Sequence, residues 1–128
     1  MKIKKIDSLV FTYDMVMAES LKKWDNYKNI ALQNVNTFIS KDYFSLNHVA
    51  KIYLQHIDEK AVLQQALQWV NQSIVLHEEY PTYILLANLN KKIGDKKTAI
   101  QAAQKGKDLA MKSSWDYKEA DELLSELK

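Results

Sequence analysis

Apolar residues recur along most of this chain at spacings of three and four, the period of an amphipathic helix. Seven such runs can be drawn. The first covers about Ser8 to Lys23 and sets Val10, Tyr13, Met17, Leu21 and Trp24 on one stripe. The second starts after Asp25, a candidate N-cap, and carries Tyr27, Ile30, Ala31, Val35 and Phe38. The third, about Tyr43 to Ile57, carries Leu46, Val49, Ala50, Tyr53 and Ile57. Asp58 is the candidate cap of the fourth, which runs to about His77. Its Leu63, Ala66, Leu67, Val70 and Ile74 share one face, and Trp69, Ser73 and Leu76 lie on the next. Two apolar or small faces predict a helix held between neighbours. Pro81 opens the fifth run, where its missing N–H costs nothing, and Gly94 suits the left-handed residue that ends it. The sixth runs from Asp95 to about Lys112. The seventh lies in "SSWDYKEADELLSELK", where Asp116 and Glu119 have capping-box spacing. Its Tyr117, Ala120, Leu123, Leu124 and Leu127 form a single apolar stripe, as expected of a helix closing the end of a stack.

The pattern also repeats. A shift of 33 positions carries Ala66 onto Ala99, Val70 onto Ala103, Ser73 onto Gly106 and Leu76 onto Leu109. A shift of 37 carries Leu46 onto Tyr83, Val49 onto Leu86 and Ala50 onto Ala87. Two helix-turn-helix units of about 34 residues therefore follow one another. Small residues at matching positions predict close helix crossings, with Gly106 leaving room for a neighbouring helix. Glycine inside a helix costs about 1 kcal/mol relative to alanine, so a packing reason is expected.

The second unit resembles the tetratricopeptide repeat through Tyr83, Leu86, Ala87, Gly94, Ala99, Gly106 and Leu109. It departs from that pattern at Asn90, Ala103 and Met111. The expected fold is all-α: an antiparallel, tetratricopeptide-like stack of about seven helices in one domain, 1–128. Its clearest units are about 44–78 and 80–112, with a capping helix over about 115–128. The polar break at residues 40–43 is read as too short for a domain boundary. A narrower likeness runs from "WDNYKNIALQNVNTFISKDYFSLNHVAKIY" through "LAMKSSWDYKEADELLSEL". These segments resemble the helical tail of thioredoxin-like proteins common in Bacteroidetes. The cysteine pair of those proteins is not in this chain, so the likeness implies a helical scaffold and no redox chemistry.

Composition agrees with long helices and short turns. There are two glycines and one proline, and 47% of residues are hydrophobic. The absence of cysteine excludes disulfides, thiol catalysis and thiolate metal sites within the chain. All eighteen basic residues are lysine. Without arginine's planar fork, and with a net charge of only +2, nucleic acid is not an expected partner. No apolar run approaches the ~20 residues of a membrane span. The opening is basic, but Asp7, Thr12 and Asp14 interrupt any signal-like core. That fits a cytoplasmic chain, or a periplasmic one if it belongs to an exported protein.

No catalytic, cofactor-binding or metal-binding set emerges. His48 and His56 lie two helical turns apart, too far to share one metal, and His77 stands elsewhere. Ser113 and Ser114, before Trp115, lack a partner histidine at motif spacing and read as a helix cap and not a nucleophile. Lys91, Lys92, Lys96, Lys97, Lys105, Lys107 and Lys112 form a basic cluster, either a solvated face or a receiver of acidic groups. Trp69 is expected in the core; Trp24 and Trp115 lie near helix ends. The tetratricopeptide likeness implies a concave face built from the first helix of each unit. On this register Asn47, Lys51, Gln55, Ile84, Asn88, Lys91 and Lys92 point there. The expected function is non-catalytic binding of a peptide or helix in that groove. The alternatives are a groove filled by the chain's own first helix or by a second copy, and a structural or dimerising tail of a larger thioredoxin-like protein.

Overall fold

The computed structural model describes residues 5–128, the side chain of Lys5 excepted. Lys2 and Lys4 of the basic opening lie outside the described residues. Seven α-helices and no strand occur among the described residues: α1 (Lys5–Ser20), α2 (Trp24–Phe38), α3 (Tyr43–His56), α4 (Lys60–Leu76), α5 (Tyr80–Ile93), α6 (Lys96–Lys112) and α7 (Lys118–Leu127). The chain divides into two compact units, Met1–Ser40 and Lys41–Lys128. The division falls at the polar break noted above.

In the first unit α1 packs on α2. Phe11, Met15 and Ala18 are the buried residues of α1, and the Phe11 ring stacks on Phe38 at 5.3 Å. On α2 the expected Tyr27, Ala31 and Val35 are buried, while Ile30 and Phe38 are half-buried. The stripe expected to form the core face of α1 does not: Val10, Tyr13, Met17 and Leu21 are exposed. This helix is apolar around much of its circumference, so its period alone does not choose a side. The α2 cap also differs. Lys23 stands at the N-cap without a side-chain bond, and Asp25 falls in the first turn.

In the second unit α3 packs on α4 and α5, α4 on α5, and α5 on both α6 and α7; α6 also packs on α7. Connections of two to five residues make consecutive helices antiparallel neighbours. The α3 face is as the spacing predicts, with Leu46, Val49, Ala50, Tyr53 and Ile57 all buried. Between its neighbours, α4 buries Leu63, Ala66 and Val70 on one side and Trp69 and Ser73 on the other. Leu67 and Ile74 are half-buried, and Leu76 is exposed. The Trp69 ring meets Tyr53 edge-on at 5.1 Å. On α7 the stripe Ala120, Leu123, Leu124 and Leu127 is buried against this stack.

Two aspartates cap helices in the same way. Asp42 accepts from the Ser45 amide at 3.2 Å and hydroxyl at 2.6 Å, starting α3. Asp95 accepts from the Thr98 amide at 3.1 Å and hydroxyl at 2.8 Å, starting α6. The Thr98 hydroxyl, then its amide, hold the Asp95 carboxyl below its usual range. Two other expected caps are not formed. Glu59, not Asp58, stands before α4, and Asp58 pairs with Lys92 at 3.1 Å. Asp116 accepts from the Lys118 amide at 2.9 Å, two residues on, instead of closing a box with Glu119. The third amide of α7, Ala120 N–H, donates to the Tyr80 hydroxyl at 3.1 Å. A tertiary hydroxyl thus supplies what the local sequence was expected to provide.

Three helices end in a left-handed residue with the following N–H bonded five residues back, which satisfies carbonyls the helix leaves open. Gly94 serves α5, with Asp95 N–H on Asn90 O. Lys22 serves α1 and Ser114 serves α6, at φ of 56° and 57°. Left-handed backbone costs a non-glycine about 1–2 kcal/mol.

Gly106 is buried in mid-α6, and its reason is a crossing with α5. A Cβ there would stand 2.9 Å from Tyr83 Cβ and 3.6 Å from Tyr80 Cδ1. Tyr83 Cβ is fixed to its backbone, so the helices would have to part. At the matching position in α4, the Ser73 hydroxyl donates to Tyr43 O at 3.3 Å.

Two substitutions test these statements by chemical denaturation. Gly106→Ala gains about 1 kcal/mol of helix propensity yet destabilises by a net ~1–3 kcal/mol through overpacking. Stabilisation would show that the crossing is not tight. Ser114→Gly relieves the left-handed strain and stabilises by about 0.5–1 kcal/mol. A loss of stability would place that strain elsewhere.

Candidate binding groove

Two cross-links set the floor of the groove. The Asn47 side-chain amide of α3 donates to the Thr82 hydroxyl of α5 at 3.0 Å. Further along, Lys92 Nζ donates to Leu54 O at 2.6 Å. The bonds join early to early and late to late residues, so α3 and α5 run side by side in the same direction. Between them lies a groove of about 540 Å³.

Helical spacing decides which side chains reach it. On α3 they are Phe44, Asn47, His48, Lys51, Leu54 and Gln55. On α5 the face is Pro81, Ile84, Leu85 and Asn88, with Glu79 before the helix and Glu119 contributed by α7. Five of the seven expected groove residues therefore converge: Asn47, Lys51, Gln55, Ile84 and Asn88. Ile84 is buried in the floor, and Phe44 at the rim is 74% exposed.

Lys91 and Lys92 lie outside the groove. Lys91 bonds to Glu126 of α7. Lys92 is held over the end of α3 by Leu54 O and Asp58, where a cation also meets the negative end of the helix dipole. Long side chains on the same turn as a groove residue reached partners on other helices. Phe44 and His48 were missed, although they extend the same three-and-four spacing from Asn47 and Lys51. Glu119 had no sequence signal, because only the docking of α7 brings it there.

The polar groups have distinct states. Asn88 donates its amide to Ile84 O at 3.0 Å. Asn47 Oδ1 is buried and without a hydrogen-bond partner. A buried unpaired acceptor costs about 1–3 kcal/mol. Charge is graded along the groove, with Glu79 and Glu119 near the start of α5 and Lys51 further along α3.

His77, Ser113, Ser114 and the lysine cluster lie outside the groove lining. Among the described residues, no three His, Cys, Asp or Glu side chains are placed to hold a metal ion. His77 lies 3.6 Å from Glu79 and against the Tyr43 ring. Ser113 and Ser114 finish α6. The lysine cluster is divided: besides Lys91 and Lys92, Lys107 pairs with Asp121 at 2.7 Å and lies 5.4 Å from the Tyr117 ring centre. The Asp121 bond raises the Lys107 pKa. Lys96, Lys97, Lys105 and Lys112 are exposed. Among the described residues, no helix is long and apolar enough to cross a membrane. No family model matches the chain, and no curated protein or solved structure matches it.

Beside the groove, Tyr83 donates its hydroxyl to Glu78. Burial first, then that bond and the nearby negative charge, push the phenol up to about 12 from 10.0. Burial also raises Tyr53 and Tyr80. These groups are neutral in the fold, so their contribution to stability is complete below pH 10 and declines as the pH rises towards 12. Denaturation followed across that window is expected to show falling stability, with the decline reduced in Tyr83→Phe. A flat profile would contradict the burial of these phenols.

Proposed function

We propose that Lys41–Lys128 is a non-catalytic protein-binding module of tetratricopeptide type, which receives a peptide or a helix in the groove between α3 and α5. The observation that carries this reading is the groove's composition. An apolar floor at Ile84 and Leu54, an exposed Phe44 and the polar side chains of Lys51, Gln55 and Asn88 line one channel. Extended peptides offer side-chain anchors and polar backbone groups to such a channel. The charge gradient favours a ligand with a cation towards Glu79 and Glu119 and a carboxylate towards Lys51.

The repeat reading is supported by matching crossings. Tyr43 and Tyr80 are 37 positions apart, and each lies beside the small residue of its unit, Ser73 or Gly106, themselves 33 apart. Each crossing joins the first helix of a unit to its second.

Selection from a random peptide library on the purified chain tests the proposal. Ligands are expected to share an apolar anchor and a carboxylate. Lys51→Ala combined with Asn88→Ala is expected to weaken them at least about tenfold, equivalent to about 1.4 kcal/mol. Lys96→Ala combined with Lys97→Ala leaves affinity unchanged. Equal affinity for the groove variant and the parent chain would remove the groove assignment.

A further inference from the structure

We propose that α1 is a self-association surface, on which two copies of this chain pair through the exposed stripe Ile6, Leu9, Val10, Tyr13, Val16 and Met17. The stripe is the outward side of the helix whose inward side holds Phe11, Met15 and Ala18. Its six side chains are 38–64% exposed. A helix apolar on both sides is ordinarily covered on both.

Area and pattern favour a second copy as the cover. At roughly 100 Å² per side chain, the stripe exposes about 600 Å², the upper end of the largest patch a monomer carries and a size that often marks an interaction site. Two stripes face to face would bury on the order of 1,200 Å², the lower end for a specific pair. Ile6, Val10, Tyr13 and Met17 are spaced four, three and four, the alternation by which two helices interlock. No charge lies within the stripe, so placing it against itself buries no like-charged pair. A lipid surface fits less well. Interfacial helices are rich in Lys or Arg on the polar face, whereas α1 carries Asp7, Asp14 and Glu19 against Lys5 alone. This pairing is independent of the groove on α3 and α5.

Sedimentation of the full chain at roughly 10 μM is expected to show a dimer, in keeping with a micromolar Kd. Leu9→Glu combined with Tyr13→Glu is expected to give a monomer with unchanged helical circular dichroism. Phe44→Glu, at the groove rim, leaves the dimer intact. Because the chain lacks cysteine, Tyr13→Cys also permits a single spin label per copy, and an intermolecular dipolar signal is expected even if the Glu variants fold poorly. A monomeric parent chain overturns the proposal, as does a dimer abolished by Phe44→Glu but not by the α1 substitutions. A monomer that co-sediments with phosphatidylglycerol vesicles through α1 would assign the stripe to lipid and overturn it as well.

Discussion

At Gly106 the backbone of α6 meets the base of the Tyr83 side chain with no room for a methyl group. That approach fixes where α5 lies. With Tyr83 pressed on α6, its hydroxyl reaches Glu78, and Tyr80 one turn earlier reaches the first turn of α7. The opposite side of α5 is then free to lie along α3, where Asn47 meets Thr82. The candidate groove is a consequence of this packing. Its α5 wall is backed by α6 and α7. The α6 helix accepts the low propensity of glycine at its centre because a side chain there would push α5 off the stack.

The same logic gives α7 its role. Its buried stripe is hydrophobic, with polar contacts at both ends. The Tyr80 hydroxyl holds its first turn, and Lys91 and Lys107 reach Glu126 and Asp121 from α5 and α6. Exposed pairs of this kind contribute little stability, typically about 0–1 kcal/mol. The apolar stripe decides which face of α7 is buried, and these pairs agree with that placement, which brings Glu119 to the edge of the groove.

How much of this was legible depended on how many choices each segment left open. In α7 only one face is apolar, and the periodicity identified the buried residues. In α3 it identified Leu46, Val49, Ala50, Tyr53 and Ile57 but not the buried Ile52, which lies off that stripe. The α1 helix has two apolar faces. The spacing found a genuine stripe, but Phe11 stacking on Phe38 turned the other one inward. The start of the sixth helix at Asp95 was readable because Gly94 fixes the end of the preceding helix beside it, and Asp95 caps it. Asp58 and Asp116, which were read as caps, are not, since Lys92 and a two-residue turn claimed their carboxylates. Within the groove, short side chains such as Asn47 and Asn88 stayed on the face given by their register. Lys91 and Lys92 did not, because a long side chain is placed by the partner it reaches and not by its Cα position. Glu119 belongs to a helix whose docking is a tertiary event, which no local pattern encodes.

Native-state hydrogen exchange measures the central constraint directly. If the Gly106–Tyr83 crossing anchors this unit, the slowest amides of Lys41–Lys128 lie in mid-α5 and mid-α6, around Tyr83 to Ala87 and Ala102 to Gly106. The amides of α7 should open well before them. If those α5 and α6 amides exchange as fast as the amides of α7, the crossing is not what holds the stack together.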